Sequence, residues 1–259
     1  MKIPEQLEFF ENVDNSLEIS HEWSTALGQL DIVLPLVVRK TLIILLTKQD
    51  IVFTENTYDE KNKTGADLQR FDGKIYNLFD YSQYSPKDKV TVKCLKYFEK
   101  IASGLIRTYI NKAWDVDKDV NINVRAFGNV QSTFGRRTAP HFHHGWDGVL
   151  VHYLTAGEEF NAPDYLLGNE PYPENVLLET DYSGDLLLLD PRPCIKYPYN
   201  NKAKTIKPKV GTTVIHPGYL WHETHTHTRS GIRVAIVVNF NIENKNFDDL
   251  PTPLSRDFI

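Results

Sequence analysis

Apolar and polar positions along the chain follow two periods, and the change from one to the other falls near Val120. Between Lys87 and Trp114, Leu95, Phe98, Ala102, Leu105 and Tyr109 recur at spacings of three and four, which puts them on one face of a helix. Lys93, Lys96, Glu99 and Lys100 fall elsewhere on that helix, and Ser85-Pro86 just before it is a common start signal. Residues 1 to about 85 read as short extended segments and turns. Within them, the run Thr41-Leu42-Ile43-Ile44-Leu45-Leu46 fits either a buried strand or part of a helix beginning near Leu34. Residues 55–73 are polar and turn-rich, as a surface loop is.

After Val120 the period is two. Asn121-Ile122-Asn123-Val124-Arg125-Ala126-Phe127 alternates as a half-buried strand does. Further strands are predicted after the histidines at 141–144, at Leu186–Leu189, at Thr212–Ile215 and at Ile232–Phe240. Asp190-Pro191-Arg192-Pro193 stops the second of these, because proline cannot continue a ladder. Residues 157–183 form a long loop, and the charged tail after Asn241 is peripheral. The pattern predicts a mainly β protein, a sandwich or jelly roll buttressed by helices. Residues 1–114 are expected to be a support region packed on a core of residues 115–259, together one compact domain.

Composition narrows the classes. With 259 residues, 41% hydrophobic and 12% aromatic, the chain can bury an ordinary core without a disulfide or metal staple. A net charge of −5 argues against a dedicated nucleic-acid binder. Cys94 and Cys194 have no metal-ligand spacing and are too few for a disulfide scaffold, and Cys94 is read as a buried helix thiol. The N-terminus lacks an apolar signal region, and the longest apolar run, Leu30 to Leu46, is broken by Asp31, Pro35, Arg39 and Lys40. No membrane association is expected, and the cytoplasm is the expected compartment.

Two clusters carry the chemistry. The first is Pro140-His141-Phe142-His143-His144-Gly145-Trp146-Asp147 and the second is His216-Pro217-Gly218-Tyr219-Leu220-Trp221-His222. In a strand, side chains two apart share a face, so His141 and His143 are expected to address one ion, with Phe142 turned away. His222, projected by the Pro217-Gly218 turn, is the best third ligand. Imidazole suits iron, zinc, copper or nickel, and the common oxygen-activating iron site takes two histidines and a carboxylate. Asp147 is the nearest carboxylate, so the set is either His141, His143 and His222, or His141, Asp147 and His222 with His143 alongside. His225 and His227 lie in a polar stretch that reads as a solvated hairpin loop, and His152 reads as a layer-filling residue; His21 and His216 have no informative context. Arg233 stands alone in an apolar strand, where its charge needs a partner. Its fork suits a bound carboxylate, with Tyr153 adding a hydroxyl; the competing reading is an ordinary ion pair with Asp185 or Asp190.

Taken together, His141-x-His143, Tyr153-Leu154, Asp190-Pro191-Arg192, Gly211-Thr212 through Pro217 to His222, Arg233 and Asn239-Phe240-Asn241 resemble the iron(II)- and 2-oxoglutarate-dependent dioxygenases. The match is to the oxygenase branch with an H-x-H opening, over about residues 115–242. The resemblance implies a double-stranded β-helix (jelly roll) core with flanking α-helices. It implies Fe(II) at His141 and His222, with His143 in the place usually held by a carboxylate. It implies 2-oxoglutarate as co-substrate, its far carboxylate on Arg233 and Tyr153, and Asn123 touching its chelating end. His144, Trp146 and Arg192 are the expected substrate-side residues, for a small-molecule or peptide substrate that is hydroxylated with release of succinate and CO2. The family often has Ser or Thr two after the arginine; here Ala235 stands there, so part of the carboxylate clamp must come from elsewhere. Residues 157–183, with Tyr165, Tyr172 and several acidic residues, are a candidate lid favouring a neutral or cationic substrate. Two rival readings are a cupin-type metalloenzyme without 2-oxoglutarate, in which Arg233 has no role, and a non-enzymatic β-sandwich holding a structural metal through four ligands.

Overall fold

The computed structural model describes residues 16–22, 25–57, 66–67, 70–71, 74–75, 77–131, 137–161, 183–191, 203–228 and 231–243. In chain order the elements are β1 (Glu18–Glu22), β2 (Thr25–Asp31), α1 (Leu36–Thr57), β3 (Ala66–Asp67), β4 (Arg70–Phe71), β5 (Lys74–Ile75) and α2 (Lys89–Trp114). These lead into β6 (Ile122–Gln131), β7 (Gly148–Asn161), β8 (Leu186–Leu189), β9 (Ala203–Ile206), β10 (Thr212–Pro217), β11 (His222–Thr224) and β12 (Gly231–Ile242). The main sheet has the order β1-β2-β10-β7-β12-β6-β3, and a smaller sheet runs β11-β8-β9. Every pairing in both is antiparallel. Two antiparallel sheets closing on a shared interior make the jelly roll expected of the chain.

The two faces of the main sheet are sorted by residue parity. On β12, Val234, Ile236, Val238 and Phe240 join Leu150, Leu154 and Ile215 in one apolar cluster with Leu42 and Leu46 of α1 and Phe98, Leu105 and Tyr109 of α2. The alternate positions Ala235 and Val237 face the interior with Phe127, Val149, Val151 and Tyr153. Both faces are covered, so the strand reads as one apolar run rather than an alternation. The smaller sheet closes the interior through Leu186, Leu188 and Ile206, packed on Leu27, Val214 and Leu220.

Helix α2 forms where the three-and-four spacing places it. A capping box between Ser85 and Asp88 precedes it, and Cys94, Leu95, Phe98, Ala102, Leu105 and Tyr109 are buried along one face. Tyr109 reaches through to donate a hydrogen bond to the Ala26 carbonyl (2.9 Å), fastening the helix to β2. His152 faces the helices too: its Nδ1 lies 2.8 Å from Thr213 Oγ1 and its ring 5.3 Å from that of Phe98.

The run Thr41–Leu46 lies inside α1, so its helical reading holds and its strand reading does not. Val38, Leu42 and Leu46 are fully buried in it, at four-residue spacing. The region 55–73 is not one loop: α1 continues to Thr57, and Ala66–Asp67 and Arg70–Phe71 are short strands. Residues 18–31 are also more than a support, since β1 and β2 extend the main sheet itself. Strand β7 continues to Asn161, and residues 162–182, with Tyr165 and Tyr172, lie outside the described residues, as do most of the tail and Cys194. No helix among the described residues is long and apolar enough to cross a membrane.

Gly148 opens β7 against Phe240, and a Cβ there would lie 2.2 Å from the ring's Cζ. The ring is hemmed by Tyr109 and Trp114 at 6.4 and 6.0 Å, so it has no room to retreat. Gly148→Ala is therefore expected to lower stability by about 2–3 kcal/mol in urea denaturation; a midpoint unchanged from wild type would contradict this packing.

Candidate metal centre and anion site

The site is built where the loop before β7 meets β11. His141 N donates to His222 O (3.0 Å) and His222 N donates to His141 O (2.9 Å), an isolated antiparallel bridge that sets the two residues side by side. Their rings stand 4.2 Å apart. His143 is tied to the neighbouring turn, its N–H donating to Gly218 O (2.9 Å). A Cβ at Gly218 would lie 2.0 Å from Trp146 O, so only glycine lets the two loops approach this closely. The ring of His143 then stacks parallel to that of His222 at 5.1 Å. One ring nitrogen from each of His141, His143 and His222 lies within 4.8 Å of the other two.

The backbone selects which nitrogens converge. His141 Nδ1 lies 2.8 Å from Ala139 O and His222 Nδ1 lies 2.9 Å from Leu220 O. A carbonyl only accepts, so each Nδ1 carries the proton and each Nε2 presents a lone pair. His143 Nε2 and His222 Nε2 face each other at 3.3 Å. Burial pushes His141 below the ordinary histidine range and His143 down to about 3, with the neighbouring His141 and His216 adding to the latter. His222 is held well below that range, by burial first and then by His216, His141 and His143. Three neutral imidazoles, each with a ring nitrogen turned toward one point, resist protonation there and fit a borderline divalent cation.

A cavity joins this trio to Arg233 along the inner faces of β6, β7 and β12, past Phe127, Val151 and Val237. Arg233 is wholly enclosed. Its Nε donates to Gly184 O (3.1 Å), Nη1 to Asn129 Oδ1 (3.1 Å) and Nη2 to Tyr153 Oη (2.9 Å). A guanidinium has five N–H groups, so one on each of Nη1 and Nη2 stays uncommitted, the pair a carboxylate takes. Tyr153 lies under the guanidinium, 4.8 Å from its ring centre. Burial raises the Tyr153 phenol, and Arg233 pulls it down while Asp185, buried in the same wall, pushes it up.

The expected residues divide accordingly. His141, His143, His222, Arg233 and Tyr153 line one cavity, although the H-x-H pair sits in the loop ahead of β7 and not in a strand. Asp147 does not join the trio: its Oδ2 accepts from Ile242 N (2.8 Å), holding it at the end of β12. Asn123, expected at the chelating end of the co-substrate, is exposed at the start of β6 and is not among the residues that line the cavity; Asn129, further along the same face, meets Arg233. His144 is exposed, and Trp146 lines a different cleft, with Trp114 and Tyr219. Arg192 lies outside the described residues. His227 is buried, not solvated, with Nε2 2.6 Å from Gly231 O.

The sequence reading gave no role to several inward-facing polar residues. Asn129 supports Arg233, His216 is fully buried with its ring 4.7 Å from that of His222, and Asn239 is fully buried near the trio. Two-residue parity from Phe127, Val214 and Val237 finds all three once those positions are known to face inward.

No protein-family model matches the chain. No curated protein is similar to it in sequence. Among solved structures, AviO1 from Streptomyces viridochromogenes superposes with a TM-score of 0.50 at 11% identity, over 85% of this chain and 91% of that one. A prolyl hydroxylase from Trichoplax adhaerens, solved with a hypoxia inducible factor peptide fragment, gives 0.49 at 14% identity, over 92% and 93%. A Pseudomonas putida prolyl-4-hydroxylase gives 0.48 at 14% identity, over 90% and 98%. At such identities the likeness is one of fold.

Histidine burial also sets an acid limit, most cleanly tested at His152, which lies on the helix side of β7. Burial pushes His152 down to about 3 in the folded protein, so the unfolded chain binds the extra proton. Its contribution is fully present above the unfolded pKa of about 6.5 and is lost as pH falls toward the folded value. Between about pH 7 and pH 4.5, wild type is expected to lose roughly 2–3 kcal/mol more stability than His152→Leu. Equal losses in urea titrations at the two pH values would contradict it.

Proposed function

We propose that this protein is an Fe(II)- and 2-oxoglutarate-dependent oxygenase that hydroxylates a small-molecule or peptide substrate. The observation that carries the reading is the shared cavity: three converging imidazole lone pairs at one end and two uncommitted guanidinium N–H groups at the other. A dicarboxylate with a 2-oxo group has matching ends, one to chelate a metal and one to meet an arginine.

When bound, iron and 2-oxoglutarate supply the oxidising chemistry, in which O2 is consumed, 2-oxoglutarate becomes succinate and CO2, and a substrate C–H bond becomes C–OH. The chain's own residues do the rest. His141, His143 and His222 hold the metal as neutral ligands, leaving coordination positions open. Arg233 orients the far carboxylate, and Tyr153 and Asn129 hold the guanidinium in the cavity wall. Tyr153 and Asn129 thereby take the place of the hydroxyl that Ala235 cannot supply. Phe127, Val151, Val237 and Leu186 wall the space with apolar surface and exclude water.

The rival readings fit less well. A structural zinc site closes with four protein ligands, and among the described residues three converge. A metalloenzyme without 2-oxoglutarate leaves the enclosed, half-committed Arg233 without a role.

Anaerobic addition of Fe(II) and then 2-oxoglutarate is expected to give a weak visible absorption band. His222→Ala should abolish it. Arg233→Met, which keeps the volume, should retain metal binding and weaken 2-oxoglutarate about 100-fold, the worth of a doubly hydrogen-bonded carboxylate. Tight metal binding with no band in the wild type would hand the site to the metalloenzyme alternative.

A further inference from the structure

Two of the three converging histidines are oriented by carbonyls of their own segments, Ala139 O for His141 and Leu220 O for His222. His143 has no such bond among the described residues; the ring contact that fixes its Nε2 is with His222. The carbonyl two residues before it, the counterpart of those two, is His141 O, which accepts from His222 N (2.9 Å). The rings packed around it, those of Phe127 at 6.4 Å, His141 at 5.2 Å and His222 at 5.1 Å, give its Nδ1 no acceptor. The sheet beneath offers one.

Strand β12 lines the cavity with Arg233, Ala235 and Val237, and Asn239 is the next residue of the same parity. Asn239 stands opposite Val149 on β7 and Arg125 on β6, one step beyond the rung that carries Val237 and Val151. It is fully buried, and neither Oδ1 nor Nδ2 has a hydrogen-bond partner among the described residues. An amide in that state is costly, and an aliphatic residue would fill the place at no such cost. Of the polar side chains on this face of β12, it is the one that approaches the His143 ring.

We propose that Asn239 is the positioning residue of the third ligand: its Oδ1 accepts from His143 Nδ1–H and turns Nε2 toward the metal. The inference rests on the three histidines being the metal site. An amide suits this place because it orients an imidazole without adding charge to a dry interior. Each ligand then has its own acceptor: a carbonyl before His141, a carbonyl before His222, and the Asn239 amide from across the sheet.

The test uses the full chain, Co(II) as the probe, and the variants Asn239→Leu and Asn239→Asp. Wild type is expected to bind Co(II) with visible d–d bands. Asn239→Leu should melt at or above the wild-type temperature yet bind Co(II) about 10–100-fold more weakly, with shifted bands. Asn239→Asp should restore affinity and bands, since a carboxylate also accepts from Nδ1–H. Wild-type affinity and spectrum in Asn239→Leu would overturn the positioning role and leave the metal site standing. A wild type that fails to bind Co(II) would overturn both. Long-range 1H–15N spectra of metal-free wild type give a reading that does not depend on a variant folding. A single Nδ1–H tautomer at His143 supports the role, and an Nε2–H or mixed tautomer overturns it.

Discussion

His141 and His222 exchange two backbone hydrogen bonds, of 3.0 and 2.9 Å, where the loop before β7 crosses β11. That exchange is what makes a site out of two distant segments. It presents both rings to the same side, while Phe142 and Trp221, on the other side of the bridge, pack at a tilt with ring centres 5.0 Å apart and stay partly exposed. Backbone bonds are indifferent to side-chain protonation, so the geometry is set before any ion or proton is considered. The close passage of Gly218 beneath Trp146 then carries His143 to the same point.

The helices make this interior affordable. Packing α1 and α2 on one face of the main sheet concentrates the apolar core there. The opposite face is left to carry Arg233, Asn129, Gln131, Asn239 and His216 beside a smaller apolar cluster. Most of these polar groups are tied together: Gln131 donates to Thr224 Oγ1 (3.0 Å), and Thr224 Oγ1 also accepts from Thr138 N (2.8 Å). A network held this way stiffens the walls of the cavity, so the guanidinium and the histidine trio keep their separation.

Much of this was legible in the chain because strands and helices sort residues by period. The α2 face, the presence of strands at β8, β10 and β12, and the five residues His141, His143, His222, Arg233 and Tyr153 follow from spacing and from the cost of burying a lone arginine. Failures arose where the deciding contact was distant in sequence. Asn123 and Asn129 share a face of β6, but six residues of extended chain separate them by about 20 Å, and pairing with β12 decides which rung meets Arg233. Asp147 is the nearest carboxylate in sequence and hence the alternative ligand, but the end of β12 claims it through Ile242 N. The run Thr41–Leu46 was ambiguous because a short apolar segment has no period of its own; its length as a helix appears only with the flanking residues.

The proposed function requires one metal held by His141, His143 and His222 and an anion held by Arg233. Crystals grown anaerobically with Mn(II) and 2-oxoglutarate, and measured at an X-ray energy where manganese scatters anomalously, test that arrangement directly. The expected result is a single strong anomalous peak bonded to the three Nε2 atoms, with 2-oxoglutarate spanning from it to the Arg233 guanidinium. A peak ligated by Asp147 in place of His143, or a cavity with metal but with Arg233 facing only protein atoms, would contradict it.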